Sequence, residues 1–310
     1  MATATADGTL FSTAMPGTRL VRVARRGPLL RSSPTTAGVY GLDLTAGCGH
    51  GCPFCHIRSS SRYPGDGVVR FDPFSSDHLP AALDALEMLP DRVVLSPSSD
   101  PLPPLREVRA EAYKVARVLL ERGVHLQIMT RGRFSGALVD LLGRHRDRVR
   151  VAIGLMTMDK SLARTLEPGT ASPISRVRDV RRLTEAGVEV TVRLEPLIPE
   201  HTDTRENLGP VFAEVAAIGV TNVVAHYLYL HTALADSLDE AFLPLPWGER
   251  LRDEYEGGPV FRLGTLGPTK HLPLAVRREG LARMISLGME YGLNVTTGSS
   301  QNPDLPRGNG

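Results

Sequence analysis

The chain has 310 residues, 42% hydrophobic and 23% charged, with a formal net charge of +2. That is ordinary globular composition, with enough apolar residues for one large α/β domain with appendages or two smaller domains. The charge is too small to argue for or against a nucleic-acid partner, and the basic cluster Arg144, Arg146, Arg148 and Arg150 reads as a solvated helix end and loop.

Residues 1–36 contain Arg19, Arg22, Arg25, Arg26 and Arg31 but no apolar stretch ahead of a cleavage site, so a flexible tail rather than a secretory signal is expected. No run approaches the ~18 apolar residues that cross a bilayer. The expected location is cytoplasmic. Short β-rich runs then alternate with helical patterns. Strands are expected at Val39–Leu44, Arg92–Ser96, His125–Thr130, Val149–Leu155, Glu189–Glu195 and Asn222–Leu230. Helical periodicity covers Asp77–Met88, Arg106–Arg122, Ser135–Arg144, Ile174–Ala186 and Asn207–Ile218. Gly123, Gly187 and Gly219 repeat one helix–Gly–strand junction. Such alternation calls for right-handed βαβ units and a mainly parallel sheet. Six units fall short of the eight of a closed barrel. The expected fold is therefore α/β, a partial (β/α)6 TIM-type barrel open on one side over residues 37–230, with a doubly wound sheet as fallback. From His231 a Pro/Gly-rich stretch and a helical pattern at Leu274–Tyr291 indicate a C-terminal extension, 231–310, covering the open side.

All three cysteines fall in Cys48-Gly-His-Gly-Cys52-Pro-Phe-Cys55, directly after the first strand. A disulfide framework would spread its cysteines and favour an even number, so the clustering points to metal. In a parallel barrel, the loops after strand C-termini form the functional face. The C-x3-C-x2-C spacing wraps a short loop around one corner of an iron–sulfur cluster. Three thiolates take three irons, and the lack of a fourth cysteine leaves one iron open to another ligand. Zinc is the competing metal, with His50 or His56 completing a Cys3His set. The second ligand pair of a tetrahedral zinc site usually sits roughly a dozen or more residues away, which this loop does not provide.

With these cysteines the chain resembles the radical S-adenosylmethionine (SAM) enzymes. The resemblance implies a [4Fe–4S] cluster on Cys48, Cys52 and Cys55, with SAM chelated to the open iron. It also implies reduction of SAM, by a one-electron donor of flavodoxin or ferredoxin type, to a 5′-deoxyadenosyl radical that takes hydrogen from substrate. From about Tyr40 to Ala225 the chain is further similar to the spore photoproduct lyase branch, the DNA repair photolyase-like proteins. The carriers are Ser98-Ser99-Asp100-Pro101, Thr130-Arg131, Glu167-Pro-Gly-Thr-Ala-Ser-Pro173 with Arg176, and Arg193-Leu-Glu-Pro-Leu-Ile-Pro199.

From this resemblance Ser99, Arg131, Glu167 and Arg193 are the candidates for positioning SAM. Each has a plainer alternative: an N-cap for Ser99, a surface cation for Arg131, and a structural ion pair of Glu167 with Arg176. Arg193 lies in an apolar strand and needs an anion if it points inward. Where spore photoproduct lyases carry a hydrogen-donating cysteine, this chain has Pro97; where they carry tyrosines flanking the last cluster cysteine, it has Phe54 and His56. The substrate stays open between a nucleic-acid lesion, a peptide or natural product, and a small metabolite. A non-enzymatic zinc or iron–sulfur protein that binds nucleic acid or a protein partner is the alternative class.

Overall fold

The computed structural model describes residues 17–243, 245–263, 267–298 and 301–305. Its frame is one eight-stranded sheet. The strands β2 (Arg31–Ser32), β3 (Val39–Leu42), β6 (Arg92–Leu95), β7 (His125–Thr130), β8 (Val149–Gly154), β9 (Glu189–Leu197), β10 (Asn222–Tyr227) and β14 (Asn294–Thr296) lie in that spatial order. Every neighbouring pair from β3 to β14 is parallel, and only β2 runs antiparallel on its edge. The edge strands β2 and β14 do not pair with each other, so the barrel is partial.

The helices α1 (Ser75–Asp84), α2 (Arg106–Glu121), α3 (Gly136–Arg144), α4 (Lys160–Leu166), α5 (Pro173–Glu185), α6 (Arg205–Ile218), α7 (Ala235–Phe242) and α8 (Leu274–Glu290) complete the main elements. In α2 the residues Val108, Ala112, Val115, Ala116 and Leu119 are buried at helical spacing, which seats that stripe on the sheet. Ser135, Ser172 and Thr204 cap α3, α5 and α6 by accepting backbone N–H groups, fixing where each helix starts.

Along the strands burial alternates with period two. Val190, Val192 and Leu194 of β9 are fully covered by helices, while Thr191, Arg193 and Glu195 on the other face are only half-buried. That second face is the inner face of the open barrel, and it carries the polar side chains.

Two regions differ from expectation. Residues 19–36, expected as tail, supply β1 (Arg19–Arg22) and β2. β1 pairs in parallel with β5 (Val68–Phe71), which also pairs with β4 (Thr45–Ala46), so the chain before the barrel braces the cysteine loop. Residues 1–16 lie outside the described residues. In the extension after His231, α8 leads into β14, a seventh parallel strand against β10. Its remaining strands, β11 (Leu230–His231), β12 (Val260–Arg262) and β13 (Pro268–Lys270), form a separate antiparallel sheet. Of residues 299–310, only 301–305 are described.

Candidate active site

A cleft of about 340 Å³ opens at the C-terminal ends of the parallel strands. It is lined by all three cysteines and by residues from the ends of β6 to β10, including Ser99, Arg131, Arg193, Glu195, His226 and Tyr229. Pro97, Phe54 and His56 also line it.

The cysteine loop is held open by backbone geometry. Gly47, Gly49 and Gly51 have φ of 78°, 74° and 70°, a region costly for any side chain bearing a Cβ. A Cβ on Gly169 would lie 2.6 Å from the Gly49 carbonyl oxygen, so the α4–α5 loop presses directly on this turn. His50 locks the two together: its Nδ1 lies 2.9 Å from the Gly169 carbonyl oxygen and its Nε2 lies 3.1 Å from Asp100 Oδ2. The Asp100 carboxylate also accepts from Leu102 N at 2.8 Å, Thr130 Oγ1 at 2.6 Å and Arg131 N at 2.7 Å. Burial alone would raise the Asp100 pKa, but His50 and these donors outweigh it, and the group sits below the ordinary carboxylate range. His50 is therefore a brace.

The three thiols sit close enough to suppress one another's ionisation. Burial, then Cys55 and Asp100, push Cys48 up to about 12. Burial and Glu167 drive Cys52 well above the ordinary thiol range, with Cys48 and Cys55 adding to it, and Cys55 is raised chiefly by burial. Such a triad ionises only when strong positive charge arrives among the sulfurs. Among the described residues, no three His, Cys, Asp or Glu side chains form a group that could hold one metal ion. Three converging thiols with no fourth cysteine in the chain suit a cluster in which each takes its own iron.

Behind the loop runs a continuous charge network. Arg176, 1% exposed, donates to the carbonyl oxygens of Ala171 at 2.8 Å and Gly154 at 2.7 Å, and to Glu167 Oε2 at 2.6 Å. The other Glu167 oxygen accepts Arg131 Nε at 2.6 Å. Arg131 Nη2 reaches the Glu195 carbonyl oxygen at 2.9 Å, and Arg193 Nη2 bonds Glu195 Oε2 at 2.7 Å. Burial opposes ionisation of Glu195, yet Arg193 and Arg131, with help from His226, hold its carboxyl below the usual range.

This placement sorts the expected SAM contacts. Arg131 lines the cleft with its guanidinium carbon 5.6 Å from the Phe54 ring centroid. Ser99 also lines it and accepts from Thr45 Oγ1 at 3.0 Å; it caps no helix, since α2 begins after Leu105. Glu167 does not line the cleft, and both its oxygens are spent on Arg131 and Arg176, so its geometry is that of the structural ion pair. Arg193 points inward, and the anion beside it is the chain's own Glu195. Sequence reading passed over Glu195, although period two from an inward Arg193 in β9 marks it.

A family model described as the radical SAM superfamily matches residues 42–208. A protein of the Acidianus two-tailed virus, ORF301, is 29% identical over 235 residues, covering 66% of this chain and 75% of that one. The Mycobacterium tuberculosis protein Rv2578c is 28% identical over 200 residues, and the matched region spans only 59% of its length. A protein of Pseudomonas phage M6 named radical SAM Nα-GlyT isomerase is 22% identical over 182 residues, covering 58% of this chain and 37% of that one. Among solved structures, a spore photoproduct lyase with AdoMet and dinucleoside spore photoproduct bound superposes with a TM-score of 0.66 at 18% identity, over 90% of this chain and 82% of that one. With a family model matching more than half of its length and a fold shared with spore photoproduct lyase, this chain belongs to the radical SAM superfamily.

Proposed function

We propose that the protein is a radical SAM enzyme whose cleft holds a [4Fe–4S] cluster on Cys48, Cys52 and Cys55 with SAM beside it. When bound and reduced by an external one-electron donor, the pair supplies a 5′-deoxyadenosyl radical for hydrogen abstraction. The observation that carries this reading is the convergence of three thiols, Cys52 buried and Cys48 and Cys55 half-buried, at the mouth of a parallel barrel, next to a cationic shelf. The chain's part is positioning. Arg131 and Arg193 offer guanidinium edges for the SAM carboxylate, and Ser99 offers a hydroxyl for its amino group. Glu195 holds both arginines in place, and Glu167 and Arg176 hold Arg131 from below. His50 and Asp100 keep the cysteine loop registered against β7.

Pro97 in the cleft wall and the use of every thiol on the cluster argue against a cysteine that quenches the substrate radical. The chemistry in this cleft therefore differs at that step from a lyase relying on such a thiol. Anaerobic reconstitution with iron and sulfide tests the metal assignment. A brown protein with equal iron and sulfide, and an electron paramagnetic resonance signal that shifts when SAM is added, is expected. A colourless protein with one zinc per chain would overturn it.

A further inference from the structure

The sheet has two free edges, β2 beside β3 and β14 beside β10, and the barrel is open between them. The cysteine loop follows β3 and β4 near one edge. The chain beyond β14 starts from the other edge, and it too reaches the cleft, through Gln301. At about 340 Å³ the cleft is near the small end of ligand pockets, which run from about 300 to 1,000 Å³, so a ligand that fills it meets residues from both edges.

Residues 297–298 and 301–305 are held in register by their own hydrogen bonds. Gln301 N donates to the Gly298 carbonyl oxygen at 3.3 Å, and Asn302 Nδ2, on a residue 5% exposed, donates to Thr297 Oγ1 at 3.0 Å. Thr297 Oγ1 lies 3.5 Å from Nδ1 of His226, another residue of the cleft. A Cβ on Gly298 would lie 2.8 Å from Gln301 Oε1 and 3.0 Å from His226 Cε1, so a side chain there would push Gln301 off His226.

Arg277 of α8, 1% exposed, clamps these residues. Its Nη1 donates to Asn302 Oδ1 at 3.1 Å and to Asp304 Oδ1 at 2.8 Å, and its Nη2 bonds the other Asp304 oxygen. The guanidinium holds the Asp304 carboxyl below the usual carboxylate range. Arg277 Nε donates to the Leu272 carbonyl oxygen at 2.9 Å, and the preceding residue, His271, stacks its ring on Tyr229 of the cleft at 5.4 Å. One buried cation thus ties together two parts of the cleft wall, and burying a charge is costly enough that ordinary packing does not call for it.

We propose that Gln301 contacts bound SAM, its carboxamide hydrogen-bonding the ligand from the β14 edge of the cleft, and that Arg277 is the positioning residue that holds it there through Asn302 and Asp304. A carboxamide both donates and accepts, which suits a polar ligand without demanding a charge. The proposal rests on the radical SAM reading and adds to it a wall supplied by the chain beyond β14.

The test is equilibrium dialysis of SAM against the reconstituted full chain, with iron content and thermal midpoint measured in parallel. Gln301→Ala removes the carboxamide and leaves the clamp, whereas Asp304→Ala loosens the clamp and leaves the carboxamide. Both are expected to weaken SAM binding about fivefold or more, the worth of one hydrogen bond. Gln301→Ala is expected to do so with parental iron content and midpoint, which a merely structural role would not allow. Hydrogen exchange at the backbone amides within 301–305 is expected to slow when SAM is added to the parent, and to stay fast in Asp304→Ala. The control is the exposed pair of Asp84 with Arg122, and Asp84→Ala is expected to bind SAM within about twofold of the parent. Parental SAM affinity in Gln301→Ala, or exchange at 301–305 indifferent to SAM in the parent, would overturn the contact while the radical SAM reading stands. Parental affinity in Asp304→Ala would overturn the role of Arg277. A cluster-loaded parent that binds no SAM would overturn both the contact and the reading beneath it.

Discussion

The two ends of one parallel sheet treat charge in opposite ways. At the C-terminal ends of the strands, Arg176, Glu167, Arg131, Glu195 and Arg193 form a chain of buried or half-buried ion pairs under the cysteine loop. At the N-terminal ends, Arg146, Arg148 and Arg150 are solvent-facing, and Arg150 meets Glu189 with both side chains more than half exposed. Exposed pairs are screened and add little, whereas buried ones punish the loss of either partner. The same residue types therefore decorate one end and hold the other in shape.

The contrast is broken most severely at Glu167. Glu167→Ala leaves Arg176 buried without its carboxylate, and urea unfolding should register a loss of about 3–5 kcal/mol. The matched change at the other end, Glu189→Ala, should cost under about 1 kcal/mol. Comparable losses at both sites would contradict the assignment of a buried network.

Gly154→Ala asks whether that network serves the cleft. A Cβ there would lie 2.9 Å from Arg131 Cγ and 3.1 Å from its Nε, so the guanidinium must shift. Overpacking of this kind costs about 1–3 kcal/mol. SAM binding by equilibrium dialysis should weaken several-fold, and unchanged binding would remove Arg131 from the SAM contacts.

A gentler probe is pH. Burial, reinforced by Arg277 and opposed by Asp304, lowers His271 to about 4. Its ring stacks on Tyr229 at 5.4 Å. Because the folded state resists the proton that the unfolded chain accepts, stability falls as pH drops from 6.5 toward 4. Glu195 works in the same direction lower down: its folded pKa is depressed, so its contribution holds above the ordinary Glu range and fades as pH falls through the folded value. His271→Gln should flatten the upper part of the profile, and Glu195→Gln the lower. Profiles parallel to the parent's would refute both assignments.

Much of this was legible in sequence because the signals were local. The helix–Gly–strand junctions placed β7, β9 and β10, and the six predicted strands all appear in the sheet. The cysteine spacing located the cleft. What escaped depended on distance or on brevity. β14 has three residues, too few for any period, and β1 becomes a strand only by pairing with β5 across 49 positions, Arg19 to Val68. Glu167 carried two readings until its partners were placed, since a carboxylate's role is set by what faces it.

The account's central claim is tested most directly by supplying reconstituted protein with dithionite and SAM under anaerobic conditions and measuring 5′-deoxyadenosine by mass spectrometry. The account predicts 5′-deoxyadenosine from the parent chain and none above background from Cys55→Ala. No product from a parent protein that has taken up zinc, or equal product from Cys55→Ala, would contradict it.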